Sequence, residues 1–97
     1  MTAEDRALAD ALLALLRRRR SWVISGNREW YDELAWDGVN YLHRSGDPMD
    51  GVVPFRPISP ASAAERMEGT LRDRMGLGFR QIATAAQKLA WVRAQLT

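Results

Sequence analysis

Four consecutive arginines form the densest group of charged residues in the chain: Arg17, Arg18, Arg19 and Arg20. A guanidinium presents a planar set of donors to phosphate or carboxylate, so such a run could neutralise the phosphates of a nucleic acid. Successive residues of a helix point in different directions, however, and the helix dipole favours cations at a C-terminus. The run therefore fits either a phosphate-binding segment or the end of a helix.

A second candidate set for nucleic-acid binding lies on the predicted last helix, where it also contains a tryptophan: Arg80, Thr84, Lys88 and Trp91. An aromatic residue on a basic helix face suits a phosphate backbone or an acidic protein. Residues 75–83 match the first half of a helix-turn-helix, with glycine at the turn, but the expected second break is missing. We predict a helical hairpin here, and a degenerate helix-turn-helix is the alternative.

Trp36 is the centre of the candidate protein-binding set. If residues 28–43 form a helix, Trp36 lies opposite the apolar stripe, among polar neighbours: Asp32, Glu33, Asn40 and His43. A tryptophan on a polar face is the residue type expected at the centre of an interface. Two alternatives stay open. Trp36 could pack under the following proline-rich segment, or its acidic face could pack against the basic Trp91 face, within one chain or across a dimer.

Catalytic and metal-binding patterns are weak. The chain has no cysteine and one histidine, which excludes thiolate metal sites and histidine clusters. His43 lies near Ser45, but no neighbour in the sequence orients its ring, as a nucleophile–base pair requires. Asp47 and Asp50 lack the spacing of a calcium loop, and no glycine-rich phosphate loop follows a strand. We expect a non-enzymatic protein without a metal or cofactor.

Four helices are predicted to position these residues, at 2–19, 28–43, 62–75 and 79–95, because apolar residues recur there at helical spacing. Their predicted N-terminal signals are capping boxes of Thr2 with Asp5 and of Ser62 with Glu65, and Asn27 as an N-cap. A slightly earlier start of the third helix, at Ser59 and Pro60, is equally consistent with the sequence.

Residues 44–61 contain all four prolines and predict an extended strap between the second and third helices. Its apolar residues would fix it across the core: Val52, Val53, Phe55 and Ile58. A minor two-stranded β ribbon, with residues 52–53 paired to the β-prone residues 22–24, is an alternative for part of it. The predicted fold class is therefore all-α, a small four-helix domain with a proline-rich strap.

Length and composition bound the remaining possibilities. The chain has 97 residues, 46% hydrophobic and 27% charged, with a net charge of +2, which predicts a single helical domain over 1–97. Residues 21–50 carry six acids against two arginines, whereas residues 51–97 carry seven bases against three acids. The longest apolar run, 11–16, is too short to cross a membrane, and its flanking charges are the reverse of those of an export signal. We expect a cytoplasmic protein without membrane contact.

These observations favour an interaction protein over an enzyme. We predict a small protein that binds and regulates or inhibits a larger protein or protein–nucleic-acid complex, as inhibitors from phages and mobile elements do. The alternative is a nucleic-acid-binding regulator that uses the basic C-terminal helix together with the arginine run. A third possibility is a structural subunit that exists only as an oligomer, whereas the first two allow a monomer or homodimer.

Overall fold

A computed structural model describes residues 1–26 and 29–97 of the chain. In chain order its elements are α1 (Ala3–Arg19), β1 (Ser21–Gly26), β2 (Tyr31–Trp36), β3 (Tyr41–Gly46), a 3-10 helix (Pro48–Asp50), β4 (Arg56–Pro57), α2 (Pro60–Glu68), α3 (Leu71–Arg74) and α4 (Ala85–Leu96). Within these residues the strands form one antiparallel sheet in the order β1-β2-β3-β4. Helices α1 and α2 pack against the sheet, and α4 packs on α1.

The all-α prediction is wrong, because the segment predicted as the second helix folds as the β2–β3 hairpin. Gly38 lies in the turn of this hairpin with a φ of +101°, a conformation that glycine adopts without steric cost. Asp37 Oδ1 accepts hydrogen bonds from the amides of Val39 at 2.8 Å and Asn40 at 2.7 Å. These bonds hold the pKa of Asp37 below its usual value. The predicted start of that helix, Asn27 and Arg28, lies outside the described residues.

The proline-rich segment crosses the outer face of the sheet, opposite the helices. Val53 N donates to Tyr31 Oη at 3.0 Å, and the guanidinium of Arg44 lies 4.3 Å from the ring centroid of Phe55. The predicted ribbon between residues 52–53 and 22–24 does not form, because β1 pairs with β2. The strap instead adds β4 to the edge of β3, where a proline is tolerated because it need not donate to a further strand.

The helix ends follow local capping signals where these are strong. The capping box of Thr2 and Asp5 is confirmed at α1. Helix α2 uses the earlier of its two predicted starts, with Ser59 Oγ accepting from Ser62 N at 3.1 Å. The last helix begins at Ala85 rather than at Phe79, because Thr84 and Gln87 form a capping box there.

The core lies between the helices and one face of the sheet. Trp22 and Leu34, which are cross-strand partners, belong to one buried cluster with side chains from all four α-helices. The fully buried side chains include Leu8, Leu12, Leu15, Leu16, Met67, Leu71 and Val92. Among the described residues, no helix is both long enough and apolar enough to cross a membrane.

Candidate functional site

The arginines of the run contact different neighbours rather than forming one patch. Arg17 Nη1 donates to Tyr41 Oη at 2.5 Å, and Arg18 donates to the carbonyl of Leu96. Arg19 Nη2 donates to a side-chain oxygen of Gln95 at 3.3 Å. These bonds attach the end of α1 to the sheet and to α4.

Arg20 ends helix α1. Its φ of +69° reverses the chain into β1, and its amide donates to Leu16 O at 2.7 Å. Its own carbonyl accepts from Trp36 N at 2.9 Å, which connects the helix end to β2. The helix-terminating interpretation therefore has direct structural support, while all four side chains remain exposed.

The set predicted around Trp36 is divided between the two faces of the sheet. Side chains alternate along a strand, so Trp36 and Asp32 share the core-facing side, whereas Glu33 lies on the outer side and pairs with Arg44. Trp36 is half-buried, with its ring centroid 4.7 Å from that of Tyr41. The helical face that placed these residues together does not exist.

Two members of that set do meet. His43 Nε2 and Asp32 Oδ1 are 2.6 Å apart, on neighbouring strands. Asp32 is thus the carboxylate that orients the ring, which sequence reasoning missed because the two residues are brought together by strand register. Ser45 is the cross-strand partner of Asp32, but no hydrogen bond joins Ser45 to His43 within the described residues. The remaining member, Asn40, lies exposed in the hairpin turn.

The residues of the alternative nucleic-acid set serve separate structural purposes. Thr84 caps α4, accepting from Gln87 N at 3.1 Å. Lys88 Nζ lies 3.1 Å from Glu68 Oε1, and Trp91 is half-buried against the core. Arg80 is exposed and precedes α4. Arg80 therefore lies outside the helix predicted to present it, and Lys88, the other base of the set, is paired with an acid.

An apolar surface that the sequence did not predict lies between α3 and α4, on residues 76–83, here called the apolar loop. Phe79 is 89% exposed and Ile82 is 92% exposed. The sequence predicts a helix over 79–95, which would place both residues near its start. The signals against that assignment were local: two closely spaced glycines before Phe79, and the capping residues Thr84 and Gln87 after it.

Hydrogen bonds define the shape of the apolar loop. Arg72 Nη2, on α3, donates to the carbonyl of Phe79 at 2.5 Å, and its guanidinium carbon lies 5.3 Å from the Phe79 ring centroid. Gly78 N donates to the side chain of Gln81 at 2.6 Å, and Gln81 N donates to Gly78 O at 3.0 Å. Phe79 and Ile82 are therefore exposed on a loop that the protein holds in place.

Shallow depressions flank the apolar loop. One, of about 410 Å³, is lined by Met75, Leu77, Gln81, Ile82, Ala83 and Gln87. Another, of about 310 Å³, includes Arg72, Phe79 and Lys88 in its lining. Arg80 forms no ion pair with any described residue, and the sequence from Gly76 onward contains no acid. The surroundings of the loop are thus apolar and positively charged.

A second cluster is centred on the buried Trp22 and includes Thr70 and Arg74, at the two ends of α3. The indole Nε1 of Trp22 donates to Thr70 Oγ1 at 3.0 Å. The guanidinium of Arg74 lies 3.7 Å from the Trp22 ring centroid and donates to Val23 O at 2.5 Å. Desolvation, and then the nearby charge of Arg19, lower the pKa of Arg74. This cluster closes the core and covers part of the free edge of β1.

Comparison with known proteins finds no relative. No family model matches the chain, and no curated protein or solved structure shows significant similarity to it. Among the described residues, no group of three or more histidine, cysteine, aspartate or glutamate side chains is placed to hold a metal ion.

Proposed function

We propose that the protein is a small, non-enzymatic interaction protein that binds an acidic, apolar segment of a larger protein and so regulates or inhibits it. The observation that carries the proposal is the apolar loop. In this loop Phe79 is 89% exposed and Ile82 is 92% exposed. Hydrogen bonds from the side chain of Arg72 and to the side chain of Gln81 hold the loop backbone in one shape.

The exposure of two neighbouring large apolar side chains supports a binding role. Contact with water is unfavourable for apolar surface, and exposed apolar groups that cluster and are rimmed by polar residues mark interaction sites. Aromatic residues dominate the energetics of protein interfaces. A loop already held in one shape also loses less conformational entropy on binding, which strengthens an interaction of given contact area.

The charge around the apolar loop indicates the chemistry of the partner. Arg72 and Arg80 lie beside or within it, Lys88 lies beside it in an ion pair with Glu68, and the sequence has no acid after Asp73. Complementary charge speeds encounter and rejects partners of like charge. An acidic segment with apolar side chains fits this surface better than a neutral one.

The setting that we propose is the cytoplasm, because a cysteine-free chain has no need of an oxidising compartment. The larger partner can itself be part of a nucleic-acid-processing complex. Direct binding of nucleic acid is the competing function, and the test below separates the two.

Fluorescence anisotropy with a labelled amphipathic peptide of leucine and glutamate tests the proposal. Combined Phe79→Ala and Ile82→Ala substitutions should weaken binding by at least about 30-fold, the equivalent of about 2 kcal/mol at an interface centre. The matched control combines Val39→Ala and Val52→Ala, which remove apolar side chains that are 79% and 89% exposed elsewhere. The control should bind as tightly as the unmodified protein, and a leucine–lysine peptide should bind weakly.

Equal binding by the apolar-loop variant and its control would refute the proposal. A labelled random DNA duplex, titrated from low to physiological salt, provides the opposing measurement. Tight duplex binding with a steep salt dependence, lost in a variant combining Arg80→Ala and Lys88→Ala, would establish the nucleic-acid-binding alternative instead.

A further inference from the structure

A groove between α1 and α2 has the opposite charge to the apolar loop. It measures about 550 Å³ and is lined by Met1, Asp5, Arg6, Ala9, Asp10, Leu13, Pro60, Ala61, Ala64, Glu65 and Glu68. Alanines, a leucine and a proline supply its apolar lining, and four carboxylates against one arginine supply its charge. Its volume falls within the range of about 300–1,000 Å³ typical of sites that bury a ligand.

Two of the four acidic residues of this groove are available to a cation. Asp10 and Glu65 are exposed, and neither forms an ion pair with any described residue. Asp5 accepts hydrogen bonds from the side chain and backbone of Thr2, which hold its pKa below its usual value. Glu68 already pairs with Lys88. The groove therefore has more negative charge than its own molecule neutralises.

The apolar loop and the α1–α2 groove complement each other in three respects. One projects, with Phe79 and Ile82 at its surface, and the other is concave. Both are apolar at the contact, and the charges around them are opposite in sign. The high exposure of Phe79 shows that the loop does not fill the groove of its own molecule. A second copy of the chain carries an apolar loop whose shape and charge complement this groove, so it is the occupant that the structure favours.

We infer that the apolar loop of one copy docks into the α1–α2 groove of another. The inference rests on the proposed function in taking the apolar loop as the binding element, and it adds regulation: a larger partner must compete with self-association. Because two different surfaces meet, the contact is heterologous, and each added copy still offers one free loop and one free groove unless a ring closes. Association should therefore extend beyond a dimer as concentration rises.

Sedimentation equilibrium with two complementary variants tests the contact. The loop variant combines Phe79→Asp and Ile82→Asp, and the groove variant combines Asp10→Arg and Glu65→Arg. Each alone should be monomeric, with association at least about 30-fold weaker than that of the unmodified protein, as expected for loss of an interface centre. An equal mixture should form a one-to-one dimer and nothing larger, because it contains just one intact loop–groove pair.

The matched control for the groove variant combines Glu4→Arg and Asp50→Arg, which make the same change in net charge at exposed acids outside the groove. It should associate as the unmodified protein does. Circular dichroism verifies the folding of every variant. If the loop variant fails to fold, the single substitution Ile82→Ala replaces it, and if the groove variant fails to fold, Asp10→Asn replaces it. Each of these milder variants should also weaken association.

Three results would overturn the inference: an unmodified protein that stays monomeric up to millimolar concentration, a groove variant that associates normally, or a mixture without dimer. None of them bears on the proposed function, which is measured separately by peptide binding. If the unmodified protein is monomeric while the loss of Phe79 and Ile82 still abolishes peptide binding, the apolar loop binds a partner but not a second copy.

Discussion

Two arginines of α3 make the same pair of contacts in opposite environments. Arg74 stacks over Trp22 and donates to a backbone carbonyl, and Arg72 stacks over Phe79 and does likewise. Trp22 is 2% exposed, whereas Phe79 is 89% exposed. The same arginine contacts are therefore found at a ring that is buried in the core and at a ring that is accessible to a partner.

The environment of each ring decides what its arginine accomplishes. At Trp22 the indole also has Thr70 as an acceptor, so the arginine closes a cluster in which the polar groups are satisfied. At Phe79 the arginine fixes the loop backbone while the ring stays in water. The comparison shows how a small protein can define the shape of an apolar surface without burying it, and it predicts opposite consequences of mutation at the two rings.

The largest contrast is expected between alanine substitutions of the rings themselves. Trp22→Ala should lower the free energy of unfolding by about 3–5 kcal/mol, because it removes a large buried side chain and leaves a cavity. Phe79→Ala should change it by no more than about 0.5 kcal/mol, since its ring is exposed. Urea denaturation of both variants measures the difference. A similar loss at both positions would show that Phe79 packs against the protein in solution.

Substitution of Thr70, the hydrogen-bond acceptor of the Trp22 indole, should have the next largest effect on the free energy of unfolding. Thr70→Val keeps the shape of the side chain but leaves the buried Nε1–H of Trp22 unpaired, which should cost about 1–3 kcal/mol. Trp22→Phe removes the donor, so Thr70→Val should cost less in that background. Urea denaturation of the two single variants and the double variant gives the coupling. Additive costs would mean that the hydrogen bond contributes nothing.

Arg74→Ala is expected to cost about 1 kcal/mol, because a stacking contact and a hydrogen bond to Val23 O are lost from a partly solvated site. Arg74→Lys tests the planar group specifically, since it keeps the charge but not the fork geometry. In thermal unfolding, the melting temperature should be highest for the unmodified protein, lower for the lysine variant and lowest for the alanine variant. Full stability of the lysine variant would assign the effect to charge alone.

Arg72→Ala should have the smallest effect on stability, within about 0.5 kcal/mol, because its contacts lie at the surface. Hydrogen exchange of the amides of residues 77–82 should accelerate, as the loop loses its bond to Phe79 O. Binding of the acidic peptide should weaken by about 3–10-fold, because both the pre-organisation of the loop and a positive charge beside it are lost. Arg66→Ala, on the exposed side of α2, is the control. If the hydrogen exchange of these amides is unchanged, Arg72 does not hold the apolar loop in its shape.

Local signals made α1 predictable. Its leucines recur at helical spacing, and its capping box joins Thr2 to Asp5. A helix is built from bonds between near neighbours, so both signals lie within the segment they describe. The same holds for the cap at Thr84, whose partner Gln87 is three residues away, although the apolar spacing predicts an earlier start at Phe79.

The hairpin was not predictable in the same way. Tyr31, Leu34 and Leu42 fit a helical stripe, yet the chain uses them in strands whose partners are distant in sequence. Leu34 is buried because Trp22 lies beside it, a contact between β1 and β2 that no local pattern contains. The candidate set around Trp36 failed for the same reason, since its shared face existed only if the segment was helical.

By itself the sequence determined α1, its caps, the absence of a long helix from the proline-rich segment, and the charge asymmetry between the middle and the end of the chain. Only the tertiary structure decided that Asp32 meets His43, that Trp22 is buried under Arg74, and that Phe79 is exposed. The physical reason is the range of the interactions. Helix bonds and caps join residues three or four apart, whereas strand register and burial depend on which distant segments meet.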